Sequence, residues 1–597
     1  MDQGKKLLYC VEKHGVTIVV ELPQYLYEAG WAASGNVIAC TQPRRVAATS
    51  VATRVAAEVG TILGEEVGYT IRFEDVSHKE RTRIKYMTDG MLFRETMLDP
   101  LLSKYSVIMI DEAHERSIYT DLMLGILKKI RRKRPSLRLI ISSATLDASF
   151  FLDYFNLGNS PNESIIVSLE GRMFPVEVAY LREPTSDYVR EAVKVVWGIH
   201  LQQGRGDILV FLTGREEIDR LPRTAGALSL LPLYAGLPNE DQMRVFEPAE
   251  RGTRKVILST NIAEASVTIE NIRFVVDCGF VKVFPSLFPV CYPVHALSAQ
   301  VDPYIQPDVH SFLSHRGPTS YASATQRAGR AGRTAPGFCY RLYPESVLPT
   351  LPRTSAPEIV RTDLTTPILQ LKSLGIDDLI KFEWVTNPPA ESVLRALEAL
   401  VNSGMVDSEG RLTELFNSKE YKCGAEILTI AAMTSVQDVF VIPDGAAGAL
   451  AELERRKFTA EEGDHLTLLN DSRAYGRMVS FACSVIPSYV AAVSIRAQLK
   501  KYMVRFGLPL DSCEGDQKRL RKCLVGGYWR NGRDGWPMER SELCEAILSV
   551  MFTRKPRTGW VVFHEMEETK KIHIRIITEI EPDWLLEYGH KLVEKRS

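Results

Sequence analysis

The chain has 597 residues, 45% hydrophobic and 25% charged, with a formal net charge of −1. That length calls for about four domains, and the near-zero charge requires any nucleic-acid surface to be built locally. The ten cysteines are scattered, without a CxxC pair or a His/Cys cluster, as in a cytosolic or nuclear protein with reduced thiols. No apolar run approaches the ~20 residues that span a bilayer, and the start, Met-Asp-Gln-Gly-Lys-Lys, lacks signal-peptide character.

In chain order, 16–20 (VTIVV) reads as a buried strand, and 26–31 as the end of a helix stopping near Gly30. A second strand, 36–40, runs into Thr41-Gln-Pro-Arg-Arg45, where Pro43 breaks the strand and opens an Ala/Val-rich helix. Arg44 and Arg45 at that junction suit phosphate contact, or are two solvated arginines at a helix start. The strand 84–87 precedes Thr88-Asp-Gly90 and a helix from Met91. The apolar run 107–110 then ends abruptly in Asp111-Glu112-Ala113-His114. A fully buried parallel strand reads this way. Its two carboxylates would lie at the carboxyl edge, where open α/β sheets bind ligands. One can hold Mg²⁺ through water and the other can orient an attacking water. Residues 121–133 form an amphipathic helix pattern. Its basic tail, 128–134, reads as cations at a helix C-terminus or as a nuclear signal. The strand 137–142 ends in Ser143-Ala-Thr145.

The alternation then repeats. Strands at 207–212, 255–259 and 273–277 end in Thr213-Gly214, Thr260-Asn261-Ile-Ala-Glu264 and Cys278-Gly279-Phe280. Gln326-Arg-Ala-Gly-Arg-Ala-Gly-Arg333 follows. Its arginines at i, i+3 and i+6 are expected on one side of a helix, where they could stabilise charge on a transferred phosphoryl group. Strand–helix alternation with polar punctuation at one edge predicts parallel sheets covered by helices.

Taken in order, these motifs resemble those of the DEAH-box RNA helicases, closest to the pre-mRNA splicing type. The motifs are Thr41 to Arg45, Thr88 to Gly90, Asp111 to His114, Ser143 to Thr145, Phe211 to Thr213, Thr260 to Glu264 and Gln326 to Arg333. The resemblance implies an α/β fold of two tandem RecA-like domains (1–170 and 171–350). A winged helix (351–416), a helical ratchet bundle (417–510) and an OB-fold (511–597) would follow. It also implies roles. Asp111 would hold Mg²⁺ through water, Glu112 would position the hydrolytic water, and His114 would couple the site to the second RecA-like domain. Gln326 would touch the attacking water, with Arg330 and Arg333 as arginine fingers. Arg54 and Phe280 would sandwich the nucleotide base. Arg44, Arg45, Thr88, Thr213, Thr260 and Asn261 would contact RNA, and Ser143 and Thr145 would couple the two events. ATP or another NTP with Mg²⁺ is the expected cofactor. Single-stranded RNA, read without sequence preference, is the expected partner, together with spliceosomal proteins or a glycine-rich activator. A nuclear location and no membrane association complete the expectation. A DNA helicase is the less apt reading, because the C-terminal half is of RNA type.

The sequence departs from that family at the phosphate-binding loop. No G-x-x-x-x-G-K-[ST] occurs anywhere in the chain; 16–20 runs through Glu21 directly into Leu22-Pro23. The backbone nest, the phosphate-binding lysine and the Mg²⁺-binding hydroxyl are lost together. A catalytically impaired RNA-binding or adaptor protein on a helicase scaffold is therefore the alternative to an active enzyme. Residues 221–227 look like a shortened helical segment. The six prolines between 285 and 318 are expected to oppose the strands of a duplex-separating hairpin. A helix looks omitted near 417–420, and 471–493 does not read as the expected continuation of the ratchet bundle. Such clean-edged changes are the pattern that exon skipping, intron retention or an imperfect gene model leaves.

Overall fold

Short apolar runs alternating with helices build two parallel sheets in succession. The computed structural model describes residues 3–14, 16–18, 23–72, 74–143, 148–156, 164–167, 174–221, 224–225, 227–237, 239–250, 252–264, 269–283, 315–402, 406, 421–435, 459–478, 487–505, 508–527, 560–568, 572–584 and 587. The first sheet contains β1 (Val16–Ile18), β2 (Val37–Gln42), β3 (Val67–Ile71), β4 (Glu74–Val76), β5 (Ile84–Thr88), β6 (Tyr105–Ile110), β7 (Arg138–Ile141) and β8 (Ser164–Ile166). Its order is β4-β3-β5-β2-β6-β7-β1-β8, parallel except for the β3–β4 pair. Val107, Ile108, Met109 and Ile110 in central β6 are almost wholly buried. Each such side chain contributes about 1.5–3 kcal/mol. This explains why the run is continuous rather than alternating.

The second half contributes β9 (Val176–Tyr180), β10 (Asp207–Phe211), β11 (Thr224–Ala225), β12 (Leu228–Leu233), β13 (Arg254–Ser259), β14 (Ile272–Asp277), β15 (Phe280–Val283), β16 (His315–Pro318) and β17 (Gly337–Arg341). Seven of these form a sheet ordered β11-β12-β13-β10-β14-β17-β9, parallel except for the short β11–β12 pair. β15 and β16 pair antiparallel outside it. This corrects one expectation: the proline-rich region does enter a ladder at its C-terminal end. Pro318 takes the last position, opposite Phe280, and a strand end tolerates a missing N–H. Prolines 285, 289, 293, 303 and 307 lie outside the described residues.

The helix Ile118–Lys133 also differs from its sequence pattern. It is buried nearly all round, not solvated on one face. Residues 380–389 return to cover it; Phe382 packs so close to Gly125 that a Cβ there would lie 2.6 Å from its ring. The basic tail is built into the fold. Lys128 Nζ donates to the Tyr154 carbonyl at 2.6 Å, Arg131 to the Leu137 carbonyl, and Arg134 to the Leu102 carbonyl at 2.8 Å. Arg132 pairs with Glu383 at 2.8 Å.

Residues 1–362 and 380–389 form one compact unit; 363–379 and 390–597 form a second. The span expected as a winged helix is thus divided between them. In the second unit, the helix Gly424–Thr434 packs on Asp464–Met478 and Pro487–Arg505. An antiparallel pair, β18 (Val561–Glu568) and β19 (Ile572–Glu579), closes against the middle helix. The Gly463-Asp-His-Leu-Thr467 motif makes that joint. Asp464 Oδ2 accepts the Ile577 amide at 2.8 Å, and His465 Nδ1 meets Thr578 Oγ1 at 2.8 Å. Burial, then neighbouring His564, pushes His465 down to about 3, so it is a neutral structural histidine. Gly463 has φ 137° and lies against the Ile577 carbonyl, where a side chain would not fit. Among the described residues no helix is long and apolar enough to cross a membrane.

Candidate functional site

The carboxyl edge of the first sheet is where its polar residues gather. β6 ends at Ile110, and the chain turns at once through a single 3₁₀ turn, Ala113–Glu115. Glu112 (φ 52°) and Arg116 (φ 53°) flank that turn in the left-handed region. Such backbone costs of order 1–3 kcal/mol and is kept where surrounding bonds over-determine it. Here the Ala113 amide donates to the Ser142 carbonyl at 2.9 Å, and the Asp111 amide to the Thr41 carbonyl at 3.3 Å. Gln42, at the end of adjacent β2, donates to Asp111 Oδ2 at 2.6 Å. The Glu112 amide donates to Asp111 Oδ1 at 2.8 Å. Burial first, and the Glu112 carboxylate second, raise the Asp111 carboxyl above the usual range. Two neighbouring carboxylates are the donor type a divalent cation takes.

His114 leads from this edge to the second sheet. Its Nε2 lies 3.3 Å from Glu112 and 2.9 Å from the Gln326 side-chain nitrogen. Gln326 lies on the helix Tyr321–Gly329, whose N-cap Ser320 accepts the Ser323 amide. Arg330 is buried behind it and donates to the Glu264 carbonyl. Burial, then like-charged Arg333, pushes the Arg330 guanidinium down to about 9. An anion reaching it would relieve that stress.

The three arginines do not share one helical face. The α-helix stops at Gly329 and tightens into a 3₁₀ turn, Arg330–Gly332. Arg327 is 1% exposed and ion-paired to Asp277 at 2.7 Å and Glu264 at 3.0 Å. It ties the end of β14 to the turn after β13 and is structural.

Arg44 spans the two halves. It pairs with Glu115 at 3.0 Å and donates to the Asn261 carbonyl at 2.6 Å. Thr88 ends β5 and starts the helix Asp89–Leu98, opposite Gln42 in the ladder. Thr260 and exposed Asn261 follow β13. Thr213 follows β10 and is held by Glu217. Arg54 is exposed and paired with Glu58 at 3.4 Å, while half-buried Phe280 stacks on Tyr188 at 5.3 Å. Ser143 is buried after β7, and Thr145 lies outside the described residues.

Sequence reasoning missed Arg72 and Arg94. Arg45, Arg72 and Arg94 crowd together. Burial lowers Arg45 and Arg72, and Arg94 lowers both further by like-charge repulsion. They follow β2, β3 and β5, which neighbour one another in the sheet. Only that strand order unites residues so far apart in sequence. Such a crowd of cations at a ligand edge suits a phosphate backbone. Asp89 was missed as well. It is buried, accepts Thr120 Oγ1 at 2.6 Å, and is raised to about 6 chiefly by burial.

The cofactor the motifs imply, a nucleoside triphosphate with Mg²⁺, is only half accommodated. Asp111 and Glu112 suit the cation. Four residues, 19–22, separate β1 from the helix Pro23–Glu28, and an eight-residue phosphate loop has no place in them. The helix itself, PQYLYE, carries no glycine, lysine or hydroxyl of the serine or threonine kind. The residues present do not fit a triphosphate, and no catalytic step through one is derived.

Comparison with known proteins agrees with this layout. A helicase conserved C-terminal domain matches residues 189–335, a ratchet-like helicase-associated domain (HA2) matches 415–468, and an oligonucleotide/oligosaccharide-binding fold matches 547–592. The chain is 43% identical to a human protein named "Probable ATP-dependent RNA helicase DHX35" over 638 residues, covering 97% of this chain and 88% of the relative. A Caenorhabditis elegans homolog of that name is 40% identical over 639 residues, covering 97% and 84%. Both matched stretches exceed the 597 residues of this chain, so the relatives carry residues where this chain has none.

Proposed function

The chain belongs to the DEAH-box RNA helicase family, and on that premise we propose that it engages single-stranded RNA in nuclear ribonucleoprotein, in pre-mRNA splicing, with ATP turnover impaired or absent. One observation carries the second half of this reading: four residues stand between β1 and the following helix, where the family places its phosphate loop. The remaining machinery supports the first half. Asp111, Glu112, His114 and Gln326 form one connected line between the two sheets. In the family's scheme Asp111 holds Mg²⁺ through water, Glu112 orients water, and Arg330 and Arg333 face the phosphates. Here these groups retain charge complementarity without a cradle to deliver a triphosphate.

RNA contact falls to the carboxyl edges: Arg45 with Arg72 and Arg94, Thr88, Thr213, Thr260 and Asn261. Arg44 reaches RNA phosphate by exchanging its Glu115 and Asn261 partners, and Arg54 and Phe280 flank a nucleotide base. Ser143 and Thr145 connect the edges. Spliceosomal proteins or a glycine-rich activator are the proposed partners of the C-terminal domains. A family member with full turnover is the second reading, favoured by the intact Asp111-to-Gln326 line. Fluorescence anisotropy with oligouridylate RNA tests the proposal. Binding should weaken steeply between 50 and 200 mM salt, by orders of magnitude if several phosphates are contacted. Addition of ATP and Mg²⁺ should leave it unchanged; a nucleotide-dependent shift in affinity would favour the second reading.

A further inference from the structure

Thr213 stands at the carboxyl edge of β10, 8% exposed, and its hydrogen bonds define what it can recognise. A threonine hydroxyl has one proton to donate and two lone pairs to accept with. The Thr213 proton goes to Glu217 Oε1 at 2.8 Å, and its backbone N–H goes to Glu217 Oε2 at 2.9 Å. Glu217 is itself buried, and two more donors converge on Oε1: the Tyr188 hydroxyl, and Arg316 Nη2 at 3.0 Å. Three donors thus meet Oε1 and one meets Oε2. A hydrogen bond to a carboxylate is charge-assisted and about twice as strong as one to a neutral acceptor, so the Thr213 proton stays on Glu217. The Tyr188 hydroxyl also lies 3.3 Å from Thr213 Oγ1, but both protons are already committed to Glu217. The arrangement is braced from outside. Phe280 stacks on the Tyr188 ring, and the Arg316 guanidinium, carried by β16, lies 5.8 Å from that ring's centre.

Towards a ligand, Thr213 therefore offers lone pairs alone. A non-bridging phosphate oxygen is also an acceptor, and two acceptors do not pair. A ribose 2′-hydroxyl carries a proton to give, and it is the group that separates RNA from DNA. We propose that Glu217 is a positioning residue that turns Thr213 into an acceptor for a ribose 2′-hydroxyl, making this position a point of RNA-over-DNA discrimination. The inference rests on the reading that Thr213 faces nucleic acid, and it narrows that contact from the backbone in general to the sugar.

The test uses the full chain and three fluorescent probes: oligouridylate, its all-deoxy counterpart, and oligouridylates with a single 2′-fluoro, which cannot donate, moved along the strand. Wild type should bind RNA more tightly than DNA and lose three- to tenfold at one 2′-fluoro position. Thr213→Val should lower RNA affinity three- to tenfold, leave DNA affinity unchanged and erase the sensitive position; Thr213→Ser should restore all three. Thr213→Ala replaces the valine variant if the latter does not fold, and the 2′-fluoro scan needs no variant. A wild-type scan without a sensitive position overturns the proposal. So does a sensitive position that survives in Thr213→Val or Thr213→Ala, or a loss that falls equally on RNA and DNA. Wild type that binds neither oligomer overturns the RNA-contact reading along with the proposal. Salt-sensitive RNA binding with a flat scan overturns the proposal alone.

Discussion

The two tandem sheets share one construction and differ in how their carboxyl edges are finished. In the second, β10, β13 and β14 end in residues locked by a buried network in which Arg327 holds Asp277 and Glu264, and Glu217 holds Thr213. In the first, β2, β5 and β6 are furnished, but β1 reaches a helix after four residues. A parallel sheet keeps its order when one loop is lost, because burial and ladder pairing hold the strands. β1 still pairs with β7 and β8 in register. On the proposed reading, only the triphosphate chemistry next to β1 goes with the loop, and fold and turnover are carried by separable parts of the first sheet.

The largest effect should come from the second edge. Arg327→Ala leaves two carboxylates buried without their cation, a loss on the order of 3–5 kcal/mol, read as a lower urea midpoint. An unchanged midpoint would mean the network does not hold the second sheet.

The next effect sharpens the first edge through pH. Asp89 has a folded value of about 6 against about 3.9 in the unfolded chain. Its protonated form is favoured in the fold, so its stabilising contribution is complete below pH ~4 and is lost as pH rises through 6. The difference across that window is about 2–3 kcal/mol. Asp89→Asn should match wild type in melting temperature near pH 4, gain on it between pH 4 and about 6, and keep a constant margin above that. A difference constant with pH would contradict the assignment. Smaller again, Arg72→Gln should weaken RNA several-fold across sequences and reduce the slope of log affinity against log salt by about 1. Arg94→Gln is predicted to act alike; an unchanged slope for both would remove the crowded arginines from the RNA path.

Much of this was legible in the sequence, for physical reasons. Fully buried strands are unbroken apolar runs, so β6, β7, β10, β13 and β14 were found within a residue or two. Strands lacking that contrast were missed: β9 alternates half-buried and exposed positions, and β12 contains Pro232, past the two residues that pair with edge strand β11. Motif letters located Asp111, Glu112, His114 and Gln326, which the fold brings together. They did not separate Arg327, neutralised by two carboxylates, from Arg330, whose charge is opposed by burial and by neighbouring Arg333. Spacing is blind to what lies opposite. The arginines at 45, 72 and 94 show the converse, since their meeting depends on strand order. The basic run 128–134 does fall at a helix C-terminus, as expected, but its covering segment, 380–389, lies some 250 residues away and is not legible from it.

The missing loop also suggests a direct repair. Placing a Gly-x-x-x-x-Gly-Lys-Thr segment between Val20 and Leu22 should raise turnover if the surrounding edge is sound. A transcript carrying such a segment before Leu22 would identify the gap as a splicing or gene-model feature. The decisive measurement is RNA-stimulated ATP hydrolysis by the chain as it stands, beside its Glu112→Gln variant. The account predicts that both hydrolyse ATP at the same background rate, with RNA bound. Robust RNA-stimulated turnover that Glu112→Gln abolishes would contradict it.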